Sequence, residues 1–240
     1  NYIKIWKDLA AQQDGPAMHK LGEVFENRMQ YPRAAEWYKK AGNAEKVKQI
    51  TDPWGTLEQF KIAAAGPGAT VDFRFRNASN VKFTARAIDV ERLIKDAKEH
   101  LKSNPREMRH KRVDVGNIGY SILNGDRANY LGEQVAAWNL KLEPRAEHLD
   151  RRIVVTTPLS KGGAYFLEAQ VEGGNRTYLI VWITDLAIVK KTLDRKVLYY
   201  VTDAKTGVPA ANCSLELFGY NVQWRDNWIG RGQRQHIETH

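Results

Sequence analysis

The sequence predicts an α+β chain of more than one domain: a helical unit, then an antiparallel β-sandwich with one inserted helix, then part of a second sandwich. Three observations predict it. Up to Gly66 the apolar residues recur every three or four positions, and after it they alternate with polar ones. These are the periods of an amphipathic helix and of a half-buried strand. Gly66-Pro67-Gly68 marks the change, since glycine and proline together punctuate regular structure. Finally, residues 162–220 read as short strands in succession, separated by turn residues, which is a sandwich pattern.

Residues 1–13 form the first expected helix, with Ile5, Trp6 and Leu9 on one face. Asp14-Gly15-Pro16 breaks it. Over residues 17–50, Leu21, Gly22, Phe25, Ala34, Tyr38 and Ala41 fall at the spacings of the tetratricopeptide consensus, whose period is 34 residues. Small residues at Gly22, Ala34 and Ala41 let two helices approach, and Phe25 and Tyr38 fill the groove between them. The Trp and Pro of that consensus are missing, and a generic helical hairpin is the plainer alternative. One repeat does not bury its own face, so either further repeats precede Asn1 or the pair packs on the sandwich. Thr51-Asp52-Pro53-Trp54-Gly55 ends the helices, and residues 56–65 are a short helix or a linker strand.

From Ala69 onward Val71, Phe73 and Phe75 alternate with Asp72, Arg74 and Arg76. Val81, Phe83 and Ala85 repeat the pattern after a turn at 77–80, which predicts a β-hairpin. Residues 89–103 interrupt the strands as a helix: Asp89 is the N-cap, and Val90, Leu93, Ile94, Ala97 and Leu101 make one apolar stripe. Asn104-Pro105 ends it, and residues 105–132 are a long polar loop. Residues 134–142 form a strand with Trp138, Leu140 and Leu142 inward, and residues 150–157 are its partner. In residues 164–172, Tyr165, Leu167, Ala169 and Val171 share a face. Gly173-Gly174-Asn175 turns the chain, and residues 178–183 are apolar throughout, as in a strand covered on both sides. Residues 187–189, 196–202 and 213–218 are further strands. Val71, Val81, Trp138, Ile153, Tyr165 and Ile180 thus mark six strands of a first sandwich. Residues 186–193 are either its seventh or the link to the next domain. The expected division is 1–65 helical, 68–185 sandwich with the helix 89–103, and 186–240 the beginning of a second sandwich with exposed edges and apolar faces.

Between the last two strands lies Asp203-Ala204-Lys205-Thr206-Gly207-Val208-Pro209, a strand-ending turn in which Gly207 is free to take positive φ. The run GGAYFLEAQ, an apolar strand ending in Thr-Asp, and LYYVTDAKTGVPAANCSLELFGY together resemble the macroglobulin-type domains of bacterial alpha-2-macroglobulins. Gly163, Tyr165, Asp203, Thr206, Gly207 and Pro209 carry the match, over residues 68–240. The resemblance implies immunoglobulin-like, macroglobulin-type sandwiches and an extracytoplasmic location, periplasmic or cell-surface. It also implies protein partners, namely other domains of a longer chain and target proteases. Members trap a protease when it cuts a bait segment and the ring of sandwiches closes on it.

The chemistry of catalysis is not legible. Alpha-2-macroglobulins can carry a thioester in a Cys-Xaa-Glu-Gln motif, but Cys213 is followed by Ser214, Leu215, Glu216 and Leu217. Cys213 is therefore expected to be an inert thiol buried with Leu215 and Leu217. Of His19, His100, His110, His148, His236 and His240 only the last two stand four apart and none neighbours a cysteine, so no metal site is expected. There is no Gly-x-Ser-x-Gly elbow and no phosphate loop. The expected catalytic, cofactor and metal sites are none. The net charge is +9, yet the tightest cationic group (Arg106, Arg109, His110, Lys111, Arg112) lacks interleaved aromatics and reads as a solvated loop, not a nucleic-acid site. Three N-glycosylation patterns, at Asn77, Asn175 and Asn212, read as chance. The aromatic and basic run 220–234 (Trp224, Arg225, Trp228, Arg231, Arg234) is a contact surface or, preferably, the loop of the second sandwich. No apolar run reaches the length of a membrane span, and the ends at Asn1 and His240 read as those of a fragment.

The leading functional expectation is a non-catalytic scaffold segment in protease trapping at the cell envelope. The alternative is an adhesion or assembly module built from helical repeats and immunoglobulin-like domains. A carbohydrate-active enzyme would need paired carboxylates, and no pair is evident.

Overall fold

The computed structural model describes residues 2–58, 62–103, 129–226 and 233–239. The chain opens with α1 (Tyr2–Ala11), α2 (Gly15–Asn27), α3 (Tyr31–Lys40) and α4 (Ala44–Thr51). Their boundaries are written locally. The Asp14 carboxylate accepts from the Ala17 amide at 2.7 Å at the start of α2, and the Asn43 side chain accepts from Lys46 N at 3.0 Å at the start of α4. Gly42, at φ 72°, turns the chain between α3 and α4. The span read as a two-helix repeat therefore holds three helices, because Gly42-Asn43 is both a stop and a cap. Ala10, Ala17, Leu21, Phe25, Ala34, Tyr38 and Ile50 form the core of this unit. Gly22 is required there: a Cβ would lie 2.5 Å from the Tyr38 ring.

Two sheets make the sandwich. One runs β1 (Trp54–Leu57), β3 (Thr70–Arg76), β6 (Arg151–Thr156). The other runs β2 (Ala63–Ala64), β8 (Arg176–Thr184), β7 (Gly163–Val171), β4 (Asn80–Ile88), β5 (Leu131–Lys141). All pairings are antiparallel except the short one between β2 and β8. Val71, Phe73 and Phe75 face Val81, Phe83, Leu167, Val171 and Val181 across the interior. The rings of Phe73 and Phe83 meet edge-to-face at 5.6 Å, and Phe83 stacks on Trp138 at 5.1 Å. Each such buried side chain stabilises the fold by about 1.5–3 kcal/mol.

Four sequence expectations change here. β3 and β4 are not a hairpin: they belong to opposite sheets, and residues 77–79 arch between them. A hairpin and an arch share one alternating pattern. What separates them is Ala78, which is fully buried and so carries the connection over the core edge. β6 pairs with β3, not with β5, and β5 pairs with β4. Trp54–Leu57 and Ala63–Ala64 are strands of the sandwich itself, ahead of the Gly66 break. β1 is secured by Asn175 in the β7–β8 turn, whose amide accepts from Gly55 N at 2.9 Å and donates to Gly55 O at 2.8 Å, as a neighbouring strand would. The fourth change is at residues 213–218, expected as a strand: they are irregular, and Cys213 is exposed. Alternation of Cys213, Leu215 and Leu217 imitates a strand, but no partner strand lies beside it among the described residues, so nothing buries the thiol.

The inserted helix α5 (Val90–Lys102) is capped by Asp89, which accepts from Arg92 N at 3.0 Å. It covers the outer face of the five-stranded sheet, where Leu93 packs with Ile88, Ala164, Phe166 and Tyr130. This explains the unbroken apolar run of β8: Leu179, Val181 and Ile183 face the interior, while Tyr178, Ile180 and Trp182 join the α5 cluster. Of the expected 105–132 loop, residues 105–128 lie outside the described residues, as do the cations Arg106, Arg109, His110, Lys111 and Arg112, and Leu131 and Gly132 already belong to β5.

After Asp185 come two separate two-stranded ribbons. β9 (Leu186–Leu193) pairs with β10 (Lys196–Asp203), and β11 (Tyr220–Asp226) pairs with β12 (Gln233–Thr239). The choice left open for 186–193 is resolved: β9 pairs with β10 alone and is not a strand of the first sandwich. β12 lies beside α5. His236 falls on β12 and Trp224 on β11, whereas Trp228, Arg231 and His240 are outside the described residues.

Candidate functional site

The helical unit and the sandwich meet at a built junction. Asn77 sits at φ 54° at the start of the arch. Its Nδ2 donates to Ile50 O at 2.7 Å and to Asp52 O at 3.3 Å, the last carbonyls of the helical unit. Its Oδ1 is then the acceptor, so His148 donates from Nδ1 at 2.8 Å. Glu147 and His148 also have positive φ, at 60° and 58°, in the short 3-10 turn Ala146–His148 that packs against α3. Three non-glycine residues in the left-handed region at one junction require surroundings that over-determine them.

Beside Asn77 lies a charged and aromatic lattice on the outer face of β3. Glu58 pairs with Arg74 at 3.4 Å and Arg152 at 2.6 Å, and Asp150 pairs with Arg74 at 3.3 Å and Arg76 at 3.5 Å. The Arg74 guanidinium lies over Trp54 at 5.4 Å, and Arg76 lies over both Trp54 and Tyr31. Tyr31 belongs to α3, so this lattice spans both units. The sequence reading passed over these residues. The available signal was three charged side chains, Asp72, Arg74 and Arg76, on one outer face next to Trp54.

The second feature is the β9–β10 ribbon. Its two faces are Leu186, Ile188, Lys190, Val197, Tyr199 and Val201 on one side, and Val189, Leu193, Leu198 and Tyr200 with Lys191 on the other. Both are apolar and both face water: Ile188 is 56% exposed, Val189 57% and Tyr200 45%. At its base Asp203 Oδ1 accepts from Thr206 N at 2.7 Å, Thr206 Oγ1 at 2.8 Å and Lys205 N at 3.0 Å. The Thr206 bonds, with Lys205, hold the Asp203 carboxyl below its ordinary range. Gly207 takes φ 71°, and Pro209 bridges Thr202. Ala204 N donates to Asp185 O at 2.8 Å and so carries the β9–β10 ladder one bond further, to the residue that joins β9 to β8.

Among the described residues, those that could do chemistry are not brought together. Among the described residues no group of three His, Cys, Asp or Glu could hold a metal. His19 lies against Tyr38 and Glu23, His148 bonds Asn77, and Cys213 is far in sequence from both. Tyr38 is shifted well above the usual range by burial and by its hydrogen bond to Glu26, which holds it as a donor, not a base. Tyr165 is raised by burial and donates to Lys161 O at 2.9 Å. Gly163, matched beside it, has φ 146°. A cleft of about 180 Å³ lined by Phe75, Leu142, Arg151 and Ile153 is smaller than ordinary ligand sites. Among the described residues no helix is long and apolar enough to cross a membrane.

No family model and no curated relative matches the sequence. The solved structures it is similar to include native alpha-2-macroglobulin from Escherichia coli. Against the fragment spanning domains MG0-NIE-MG1 the identity is 10%, with 78% of this chain and 57% of that chain covered at a TM-score of 0.42. Against the fragment spanning NIE-MG1 the identity is 13%, with 79% and 86% covered at 0.41. A CARDB domain from Pyrococcus furiosus, in complex with di-metal ions, follows at 10% identity, covering 57% of this chain and 90% of that one at 0.28. The chain thus spans just over half of the longer Escherichia coli fragment.

Proposed function

We propose that the chain is a non-catalytic scaffold segment: a strut made of the helical unit and the sandwich, from which the β9–β10 ribbon reaches a neighbouring β-domain. The observation that carries this reading is the ribbon itself. A two-stranded ribbon is marginal alone, and this one follows β8 through the single residue Asp185 while offering water two apolar faces. Such a surface suits burial against further strands. The junction around Asn77 and Arg76 supports a strut, since it gives the helices a fixed seat on β3. Within this reading, the sequence motifs at Gly163, Tyr165, Asp203, Thr206, Gly207 and Pro209 favour a bacterial alpha-2-macroglobulin-like setting and a part in protease trapping at the cell envelope.

Two measurements test it. Truncation of the ribbon, with residues 187–202 replaced by Gly-Gly so that β12 stays beside α5, should leave the unfolding midpoint nearly unchanged, because the ribbon buries none of the sandwich core. A midpoint lowered by more than about 10 °C would mean that the ribbon is part of the core. For the finer role, the chain is mixed with a panel of endopeptidases. Slowed digestion of casein with unchanged cleavage of a small chromogenic peptide supports trapping, and equal rates on both substrates remove it. Hydrolysis of either substrate by the chain alone contradicts the non-catalytic reading.

A further inference from the structure

The tip half of the ribbon carries Lys190, Lys191, Arg195 and Lys196 around a single carboxylate, Asp194. Arg195 occupies the two-residue turn at φ 56°. None of the four cations has an ion-pair partner among the described residues. In the sandwich Arg74, Arg76, Arg151, Arg152 and Arg176 each face a carboxylate within 4 Å, while Lys82, Arg86 and Lys141 have no ion pair among the described residues. The ribbon's outer backbone is also unpaired among the described residues, apart from the base of β10, where Thr202 meets Pro209.

We propose that β9–β10 is a docking arm for an acidic β-sheet surface, one that offers an open strand edge flanked by carboxylates to Lys190, Lys191, Arg195 and Lys196. This rests on the scaffold reading and names the chemistry of what the ribbon meets. Strand addition satisfies the ribbon's free N–H and C=O groups, the apolar faces supply burial, and the cations set the sign of the partner. The other occupants fit less well. An anionic bilayer would take the apolar faces and the charge, but it leaves the outer-edge amides without partners in hydrocarbon. A second copy brings the same cationic tip and a net charge of +9 against itself. Nucleic acid would meet the cations and leave the apolar faces wet.

The test uses the whole chain and a fluorescein-labelled peptide of about nine residues, one strand's length, alternating Glu and Val, with its Lys–Val counterpart as control. The Glu–Val peptide should bind by anisotropy, and hydrogen exchange should slow across residues 187–201. Binding should weaken at least about tenfold in the Lys190→Glu, Lys191→Glu double variant, and again in high salt. Both positions are exposed, so the variant's unfolding midpoint should match the parent's. Four outcomes overturn the proposal. These are no binding of the Glu–Val peptide, equal binding of both peptides, uptake by phosphatidylglycerol vesicles with no peptide binding, and a concentration-dependent doubling of mass in sedimentation. Each of these leaves the truncation result, and so the scaffold reading, where it was. A failed truncation result would leave peptide binding unchanged.

Discussion

The sandwich and the β9–β10 ribbon are built from the same kinds of residue and end in opposite conditions. In β4 and β7 the alternating apolar positions, such as Phe83 and Leu167, are sealed by a facing sheet. In β9 and β10 Ile188, Val189, Leu198 and Tyr200 alternate just as well and stay in water. Charge differs in the same direction: Arg74, Arg76, Arg151, Arg152 and Arg176 of the sandwich face carboxylates, and among the described residues the four ribbon cations do not. Strand-forming sequence, then, fixes which residues share a face. Whether that face is covered depends on strands that come from elsewhere in the chain or from outside it.

The sharpest way to break the comparison is a matched pair of truncations. Phe83→Ala removes a ring packed between Phe73 and Trp138 and should cost about 3–5 kcal/mol in urea unfolding. Ile188→Ala, at a residue more than half exposed, should cost under about 0.5 kcal/mol. Similar losses at the two sites would mean that the ribbon is covered. Asn77→Ala comes next, at about 1–3 kcal/mol, since it strips partners from Ile50 O and His148 and places alanine at φ 54°. The loss should appear with a second unfolding transition as the helices uncouple from the sandwich, and a single unshifted transition would show that the junction does not carry them.

A smaller effect concerns pH. Asp203 is depressed below its ordinary 3.8 by donors from Thr206 and Lys205, so its contribution to the turn is complete above that ordinary value. It is lost as pH falls through the lowered folded value, where protonation breaks the acceptor. The Thr206 amide resonance should titrate in that acid window, and in Asp203→Asn it should not. The smallest effect is at Cys213. A thiol reagent should label it stoichiometrically in the native state, and Cys213→Ala should change stability by under about 0.5 kcal/mol. Slow labelling would place this segment under cover.

What could be read in advance followed from local rules. Asp89 and the Leu93–Leu101 spacing gave α5 because capping and helical period are properties of neighbours in sequence. The two-sided apolar run of β8 and the Gly173-Gly174-Asn175 turn were legible for the same reason. Pairing was not. β3 and β4 look like a hairpin until Ala78 is seen buried, and β6 goes to β3 across a long separation that no local pattern encodes. Cys213 departs from its expected burial because alternation buries a residue only where a partner strand covers it. The absence of a catalytic motif left the candidate surface to be found from exposure and unpaired charge. Both depend on what folds over what.

The link between sandwich and ribbon is one residue long. β8 ends at Thr184 and β9 begins at Leu186, so a pull on β9 passes through Asp185 into β8. β8 is stitched to β7 from Gly163–Ile183 to Gln170–Arg176, and Ala63 and Ala64 clasp its far edge at Ile183 and Thr184. Tension along β8 therefore loads those bonds side by side, in shear, and they must yield together instead of peeling one by one. The ribbon is thus tethered to a strand that is held on both of its edges.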